Sequence, residues 1–287
     1  MNSLSNSLSG NQQQQRAFSF KALHERAGLF IIPNPWDAGS AKLLAGLGFE
    51  ALATTSAGLA FSLGKSDGGG AVSRDELLQH ARAITPATSL PVSGDLEKGF
   101  GDDPEICAET ILLAAKTGLV GGSIEDASGN PSDPIFPFDL SVERIKAAVQ
   151  AARSLPFPFT LTARAENLLY GHNDLKDTVR RLVAFADAGA DVLFAPGLKT
   201  KEEINEVVRA VAPRPVNVLA GIAGFAVSLD ELKRIGVKRV SVGSSLARAA
   251  YGGFLRAAKE IRNKGTFDYT ADTIPFAEIN ALFNSSR

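Results

Sequence analysis

The sequence predicts an α/β fold, a (β/α)₈ TIM barrel with a C-terminal helical extension, and three observations lead there. Eight short apolar or β-branched runs alternate with longer stretches whose apolar residues recur every three or four positions. That is the pattern of parallel strands covered by helices. The connections between runs are short, which suits eight repeated βα units closing on themselves better than a doubly wound open sheet, the alternative architecture. With 287 residues, 45% of them hydrophobic, the chain can bury one large core without splitting into two domains.

The elements follow in order. Residues 1–16 are rich in Ser, Asn and Gln. They carry too little apolar surface to offset ordering entropy and are expected as a disordered tail. The barrel is expected over 17–263. Its strands fall at FIIPN (30–34), ALATTS (51–56), PVSGDLE (91–97), GGSIEDA (121–127), FTLTARA (159–165), DVLFAP (191–196), PVNVLA (215–220) and RVSVGSS (239–245). Asp37 before AGSAKLL, Ser73 before RDELL and Ser141 at the start of SVERIKAA are expected helix caps, because short polar side chains accept bonds from free first-turn N–H groups. DPEICAETILLAAKTG and TKEEINEVVRAVA each show one apolar face for the sheet. Glycines in AGLGFEAL and ADAGADVLF supply left-handed helix ends. Residues 264–287 again read as helical, with no evident partner in the barrel, and are expected to make an oligomer contact.

Composition narrows the function classes. Thirty Lys and Arg balance 31 Asp and Glu, and no basic cluster marks a nucleic-acid binder. Small molecules are the expected partners. No apolar run reaches membrane-spanning length, and MNSLSNSLSGNQQQQ lacks a charged segment followed by an apolar one, so neither a membrane nor secretion is expected. A single Cys107 leaves no internal disulfide framework, and the cytoplasm is the expected location.

In a barrel of this kind the C-terminal strand ends build the active site, and polar residues concentrate there. The second strand ends in Thr54, Thr55 and Ser56, the third in Asp95 and Glu97, the fourth in Glu125 and Asp126, and the fifth in Arg164 and Glu166. Strand alternation aims Asp95 and Glu97 to one side. Carboxylates plus water suit Mg²⁺ (or Mn²⁺), with Asp95, Glu97 and Glu125 as the expected metal ligands. An acid pair at a strand end also serves as a solvated loop or a cap. Four acids facing Arg164 favour an ion, since burying unpaired charge is costly. In GDLEKGFGDD, Gly99 and Gly101 are expected to make the turn, Lys98 to be solvated, and Asp102 and Asp103 to cap the next helix. His172 reads as a loop residue, Cys107 as a core thiol, Lys199 as a helix-start charge and Trp36 as packing beneath the first loop. Asn217, between buried valines, suits either a substrate contact or a core hydrogen bond.

These residues also resemble a known group. PNPWDAGSAKLL, TTSAGLAFSLGKSD, SGDLEKGFG, SIEDAS and TARAENLL, in that order, look like the isocitrate lyase/phosphoenolpyruvate mutase superfamily, from about residue 28 to residue 260. The resemblance implies a Mg²⁺-dependent barrel that makes or breaks a bond beside the carbonyl of a 2-oxo acid through an enolate. It places Asp95 and Glu97 where the family has two aspartates, and Glu125 and Asp67 at further family acids. Thr55, Ser56 and Ala57 fall at the cradle for substrate carboxylate and enolate oxygen, and Arg164 at the arginine that grips substrate. Arg164, Glu125 and Asp67 are thus the expected catalytic residues, with Thr55, Ser56, Ala57, Asp95, Arg164 and Asn217 as substrate contacts. The resemblance further implies a homotetramer, or a homodimer, joined through the C-terminal helices.

The departures point within the superfamily. The lyases' K-[KR]-C-G-H stretch after the fourth strand is replaced by ASGNPSDPIFPF, without Cys, Lys or His, and the mutases' gating lysine is absent. Pro196 stands where lyases carry Glu and the mutase His. The pattern looks like the branch of oxaloacetate decarboxylase-like, 2-methylisocitrate lyase-like and 2-oxo-acid-binding members. The expected function is a carbon–carbon lyase or decarboxylase acting on a small 2-oxo or 2-hydroxy di- or tricarboxylic acid. The alternatives are a non-catalytic 2-oxo-acid binder, a C–P bond enzyme of the phosphonomutase type, and a phosphate-binding barrel using GIAG (221–224) and VGSS (242–245).

Overall fold

A computed structural model of the chain describes residues 10–285. The chain opens with α1 (Gly10–Glu25), β1 (Phe30–Ile32), α2 (Ala38–Gly46), β2 (Leu52–Ala53), α3 (Ser56–Ser62), α4 (Arg74–Ile84), β3 (Val92–Asp95), α5 (Pro104–Ala115) and β4 (Gly121–Glu125). A hairpin of β5 (Ala127–Asn130) and β6 (Asp133–Ile135) then precedes α6 (Phe138–Arg153). The remainder runs β7 (Thr160–Arg164), α7 (Leu175–Asp187), β8 (Val192–Phe194), α8 (Lys201–Val211), β9 (Val216–Leu219), α9 (Leu229–Ile235), β10 (Arg239–Ser241), α10 (Ser245–Lys264) and α11 (Phe276–Ser285).

Eight strands pair in parallel in the order β1, β10, β9, β8, β7, β4, β3, β2. The two ends of that order meet where the Ala53 N–H donates to the Pro33 carbonyl at 3.1 Å, so the sheet closes into a barrel. Each expected strand is present. The sheet packs against its helices through residues such as Leu96, Ile111, Ile124, Leu161 and Leu193, all fully buried. Capping follows the sequence at Asp37, which accepts from Ser40 N at 2.6 Å, and at Ser73, which accepts from Glu76 N at 3.3 Å.

Four expectations need correction. Residues 10–16 are not a disordered tail: they form the first turns of α1, and residues 1–9 lie outside the described part. Gln13 donates from its side chain to the Ala115 and Leu119 carbonyls at 2.7 and 2.9 Å, and Arg16 donates to the Thr85 carbonyl at 2.8 Å. Ser141 does not start its helix: α6 begins at Phe138, and Ser141 is buried with its hydroxyl donating to the Pro137 carbonyl at 3.1 Å. Asp103 takes the N-cap position of α5 without a side-chain bond, while Asp102 pairs instead with Lys98 at 2.6 Å, so Lys98 is not simply solvated. The C-terminal segment does have a partner within the chain, because α11 docks on α2 with Phe283 against Gly39.

Helix α1 lies across the N-terminal strand ends. Its Ala17, Phe20 and Leu23 form a second apolar cluster with Phe30, Ile32, Ala51 and Val120. The rings of Phe20 and His24 meet edge to face at 4.7 Å, as do those of His24 and Phe30 at 5.0 Å. Gly121 allows this approach, since a Cβ there would stand 2.7 Å from the Thr160 carbonyl oxygen and 2.9 Å from the Phe20 ring.

Candidate active site

Asp95, Glu125 and Arg164 are the last residues of the adjacent strands β3, β4 and β7, so the register alone delivers them to the barrel mouth. Arg164 stands opposite Glu125 in the ladder. Its guanidinium binds three carboxylates: Asp95 Oδ1 at 2.7 Å, Glu125 Oε2 at 3.0 Å and Glu166 Oε1 at 2.9 Å. The second Asp95 oxygen accepts from the backbone N–H and hydroxyl of Ser56 at 3.0 and 2.9 Å. The Asp95 N–H donates to Thr54 Oγ1 at 2.9 Å. Thr55 caps α3 by accepting from Gly58 N at 3.2 Å, with Ala57 in the first turn of that helix.

A second ring of contacts holds the first. The Glu166 N–H donates to Asp126 Oδ1 at 2.8 Å, and Arg181 donates to Asp126 Oδ2 at 3.1 Å and to the Phe136 carbonyl at 3.0 Å. Arg181 carries no signal in a single sequence, because it sits mid-helix in α7 and reaches the site only through the fold. Arg144 of α6 likewise donates to the carbonyls of Lys98, Gly101 (2.7 Å) and Asp102, with its guanidinium 4.3 Å from the Phe136 ring centre. It thereby clamps the loop after β3, in which Glu97 and Phe100 adopt left-handed backbone conformations at φ 48° and 65°. Such residues cost of the order of 1–2 kcal/mol each unless surrounding contacts hold them. The tie from Arg144 supplies that hold.

Above the acids opens a cavity of about 740 Å³, lined by Ser56, Asp67, Glu97, Glu125, Arg164 and Tyr170 among others. Beneath them, inside the barrel, lies a smaller one of about 100 Å³ bordered by Asp95 and, like the upper one, by Arg164. Asn217 borders only the lower cavity and is engaged on both sides, donating to Ser241 Oγ and accepting from Arg239 Nε, each at 2.9 Å. The residues read as bland keep that character: Cys107 is buried in α5, the Lys199 N–H joins the start of α8, and Trp36 packs against Gly58.

The charges are unbalanced toward acid. Burial pushes the Glu125 carboxyl well above the usual range despite Arg164. Burial, with Asp95 and Asp67 nearby, moves Glu97 up to about 7, and burial and Asp95 raise Asp67. Burial opposes the charge of Arg164, but Glu166, Glu125 and Asp95 outweigh it and hold the guanidinium protonated. Burial, with Glu125 and Glu166, raises the Tyr170 phenol to about 12 and keeps it a donor.

This donor set fits a hard divalent cation in type and in charge, since all its members are carboxylates and one arginine does not offset them. Among the described residues, no three such side chains are gathered in ligand geometry: Asp95 and Glu125 are turned to Arg164.

Comparison with known proteins decides the family. The phosphoenolpyruvate phosphomutase family profile matches residues 20–262. The chain belongs to this family. The phosphomutase family fold recurs in a Burkholderia cenocepacia J2315 structure assigned only to the lyase/mutase class, 59% identical, with a TM-score of 0.93 over 96% of this chain and 98% of that one. The structure of oxaloacetate acetylhydrolase in complex with the product oxalate is 26% identical, with a TM-score of 0.84 over 94% of each chain. The uncharacterized protein Rv1998c of Mycobacterium tuberculosis H37Rv is 33% identical over 92% of this chain and 95% of its own. The wider phosphoenolpyruvate mutase/isocitrate lyase superfamily also holds 2-methylisocitrate lyases and 2,3-dimethylmalate lyase. It is thus a superfamily of carbon–carbon lyases, hydrolases and mutases.

Proposed function

We propose that the chain is a Mg²⁺-dependent carbon–carbon lyase or decarboxylase acting on a small 2-oxo or 2-hydroxy acid through a pyruvate-type enolate. The observation that carries this reading is Arg164, fixed by Asp95, Glu125 and Glu166 at the floor of a cavity lined by further acids. Oxaloacetate acetylhydrolase, the relative solved with oxalate, supports a small carboxylic acid as ligand.

Asp95, with Glu97 and Glu125, would hold the ion, which when bound supplies Lewis-acid stabilisation of negative charge on the substrate's 2-oxo oxygen. Arg164 contributes fixed positive charge beside the reacting carbons, and its three carboxylates keep it from swinging away. Ser56, bound to Asp95, sets the distance between the α3 backbone and the β3 end. Glu166 is engaged by Arg164 and by its own backbone tie to Asp126. It therefore orients Arg164 rather than serving as a free base, and a reaction that needs no protein base, decarboxylation, is favoured over retro-aldol cleavage. The Tyr170 phenol, protonated across the working pH range, is the available donor at the mouth.

The other assignments follow the same reading. The partner is a small carboxylic acid, and copies of the chain associate through the surface around α11. The cytoplasm is the proposed location; no helix among the described residues is long and apolar enough to cross a membrane.

The test is pyruvate release from oxaloacetate and from methylated and hydroxylated four- to six-carbon acids, with and without Mg²⁺, for the parent and Asp95→Ala. Metal-dependent turnover lost in the variant is the expected result. Binding of oxalate or a 2-oxo acid without turnover above the Mg²⁺-only background would replace this reading with that of a non-catalytic binder.

A further inference from the structure

Arg239 is the starting point. It is the first residue of β10, 5% exposed, and its side chain lies inside the barrel at the edge of the lower cavity of about 100 Å³. Among the described residues its hydrogen bonds all go to neutral side chains: Nε to Asn217 Oδ1 at 2.9 Å, Nη2 to Thr162 Oγ1 at 2.9 Å and Nη1 to His24 Nε2 at 3.5 Å. None of the ion pairs among the described residues includes it. The other core arginines differ: Arg164 and Arg181 bind carboxylates, and Arg144 is wrapped by three peptide carbonyls.

A guanidinium with five N–H groups and three such bonds keeps two donors in hand. His24 adds no charge of its own. Its Nδ1 faces the Phe20 carbonyl at 2.8 Å and its Nε2 faces Arg239, an arrangement of the neutral ring. An isolated buried charge without a counter-ion costs several kcal/mol. The cost falls if an anion enters the void that the cation borders. The void is the right size, since a water claims about 30 Å³ of liquid volume. It therefore has room for one small ion with a water. Its wall adds hydroxyl groups from Ser93 and Ser241, while its only carboxylate, Asp95, is paired with Arg164 at the upper side.

We propose that the lower cavity is a binding site for a small monovalent anion, of halide or one-carbon carboxylate size, seated against Arg239 beneath the catalytic mouth. The site lies below that of the reaction proposed above and shares Asp95 and Arg164 with it. It makes the interior of the barrel ion-specific rather than merely salt-sensitive, and it supplies the counter-charge that the fold itself omits.

The test is thermal unfolding of the full chain at matched ionic strength in sodium gluconate, chloride, bromide, formate or bicarbonate, for the parent and Arg239→Gln. The expected result is a saturable rise of the midpoint with one or more of the small anions over gluconate, absent in the variant. The formate and bicarbonate arms separate a carboxylate site from a halide site. Crystals of the parent soaked in bromide give a second readout that needs no variant, with anomalous density expected beside Arg239. Midpoints that are equal in all salts, together with an interior free of bromide, would overturn the proposal; an identical ion-specific rise in a folded Arg239→Gln would do so too.

Discussion

Arg164 concentrates the chemistry and much of the risk at the scale of single residues. Removing one partner of a buried ion pair leaves uncompensated charge and costs about 3–5 kcal/mol. Arg164→Met, which abandons three carboxylates, is therefore expected to lower stability by at least that order, measured by urea unfolding at pH 7. Arg164→Lys keeps a charge but not the fork that spans three acids, and kcat/KM is expected to fall roughly 10²–10³-fold with a smaller stability loss. A fall in stability equal to that of Arg164→Met would argue against the three-way arrangement. His24 gives a pH prediction of known sign. Burial, with Arg239 and Lys238, lowers its pKa to about 3, against 6.5 for a free histidine. Above pH 6.5 neither state is protonated and stability is unaffected. Between 6.5 and about 3 the unfolded chain takes up a proton that the native one refuses, so stability falls with pH. The loss is of order 2 kcal/mol by pH 5, and His24→Gln is expected to flatten that slope in unfolding measurements at pH 5 and 7. The strand-end residues Asp95, Glu125 and Arg164 were legible in the sequence because alternation and position expose them. Arg181, Arg144 and Arg239 were not, since a lone arginine in a helix or strand says nothing about what the fold brings to it.

At the scale of elements, the eight strands and most helices were readable because their apolar periodicity is the same force that buries them. The hairpin β5 and β6 was missed: ASGNPSDPI shows no alternation, and its pairing follows from the Phe136 N–H donating to the Asp126 carbonyl at 2.8 Å. Helix α1 was half missed for a related reason. GNQQQQR has no amphipathic signal, and its order comes from glutamine and arginine side chains reaching distant carbonyls rather than from an apolar stripe. Two glycines separate backbone approach from mere permissiveness. Gly121→Ala drives a methyl into the Thr160 carbonyl and the Phe20 ring, with a cost of about 1–3 kcal/mol expected. Gly252 lies within α10 with only the far end of the Arg256 side chain nearby. Gly252→Ala is expected to stabilise by up to about 1 kcal/mol. Paired denaturation curves check both, and a neutral Gly121→Ala would contradict the described packing of α1.

For the whole molecule, the largest exposed apolar side chains gather toward the C-terminus. Phe254 is 68% exposed, Phe267 60% and Phe276 84%. Isolated exposed apolar residues are ordinary, and three exposed phenylalanines on α10, α11 and the segment between them suit the proposed contact between copies of the chain. Light scattering is expected to give a mass that is a multiple of 30.2 kDa, and Phe267→Ser with Phe276→Ser is expected to shift it toward one chain; a monomeric parent would remove this reading.

The plug formed by α1 has a kinetic consequence. With Phe20 packed across the N-terminal strand ends, the 740 Å³ cavity at the opposite end of the barrel opens to solvent on the C-terminal side. In the proposed cleavage, the fragment held against Arg164 at the floor of that cavity is expected to depart last. Steady-state product inhibition should then be unequal: the inner fragment competes with substrate for the empty chamber, and the outer one does not.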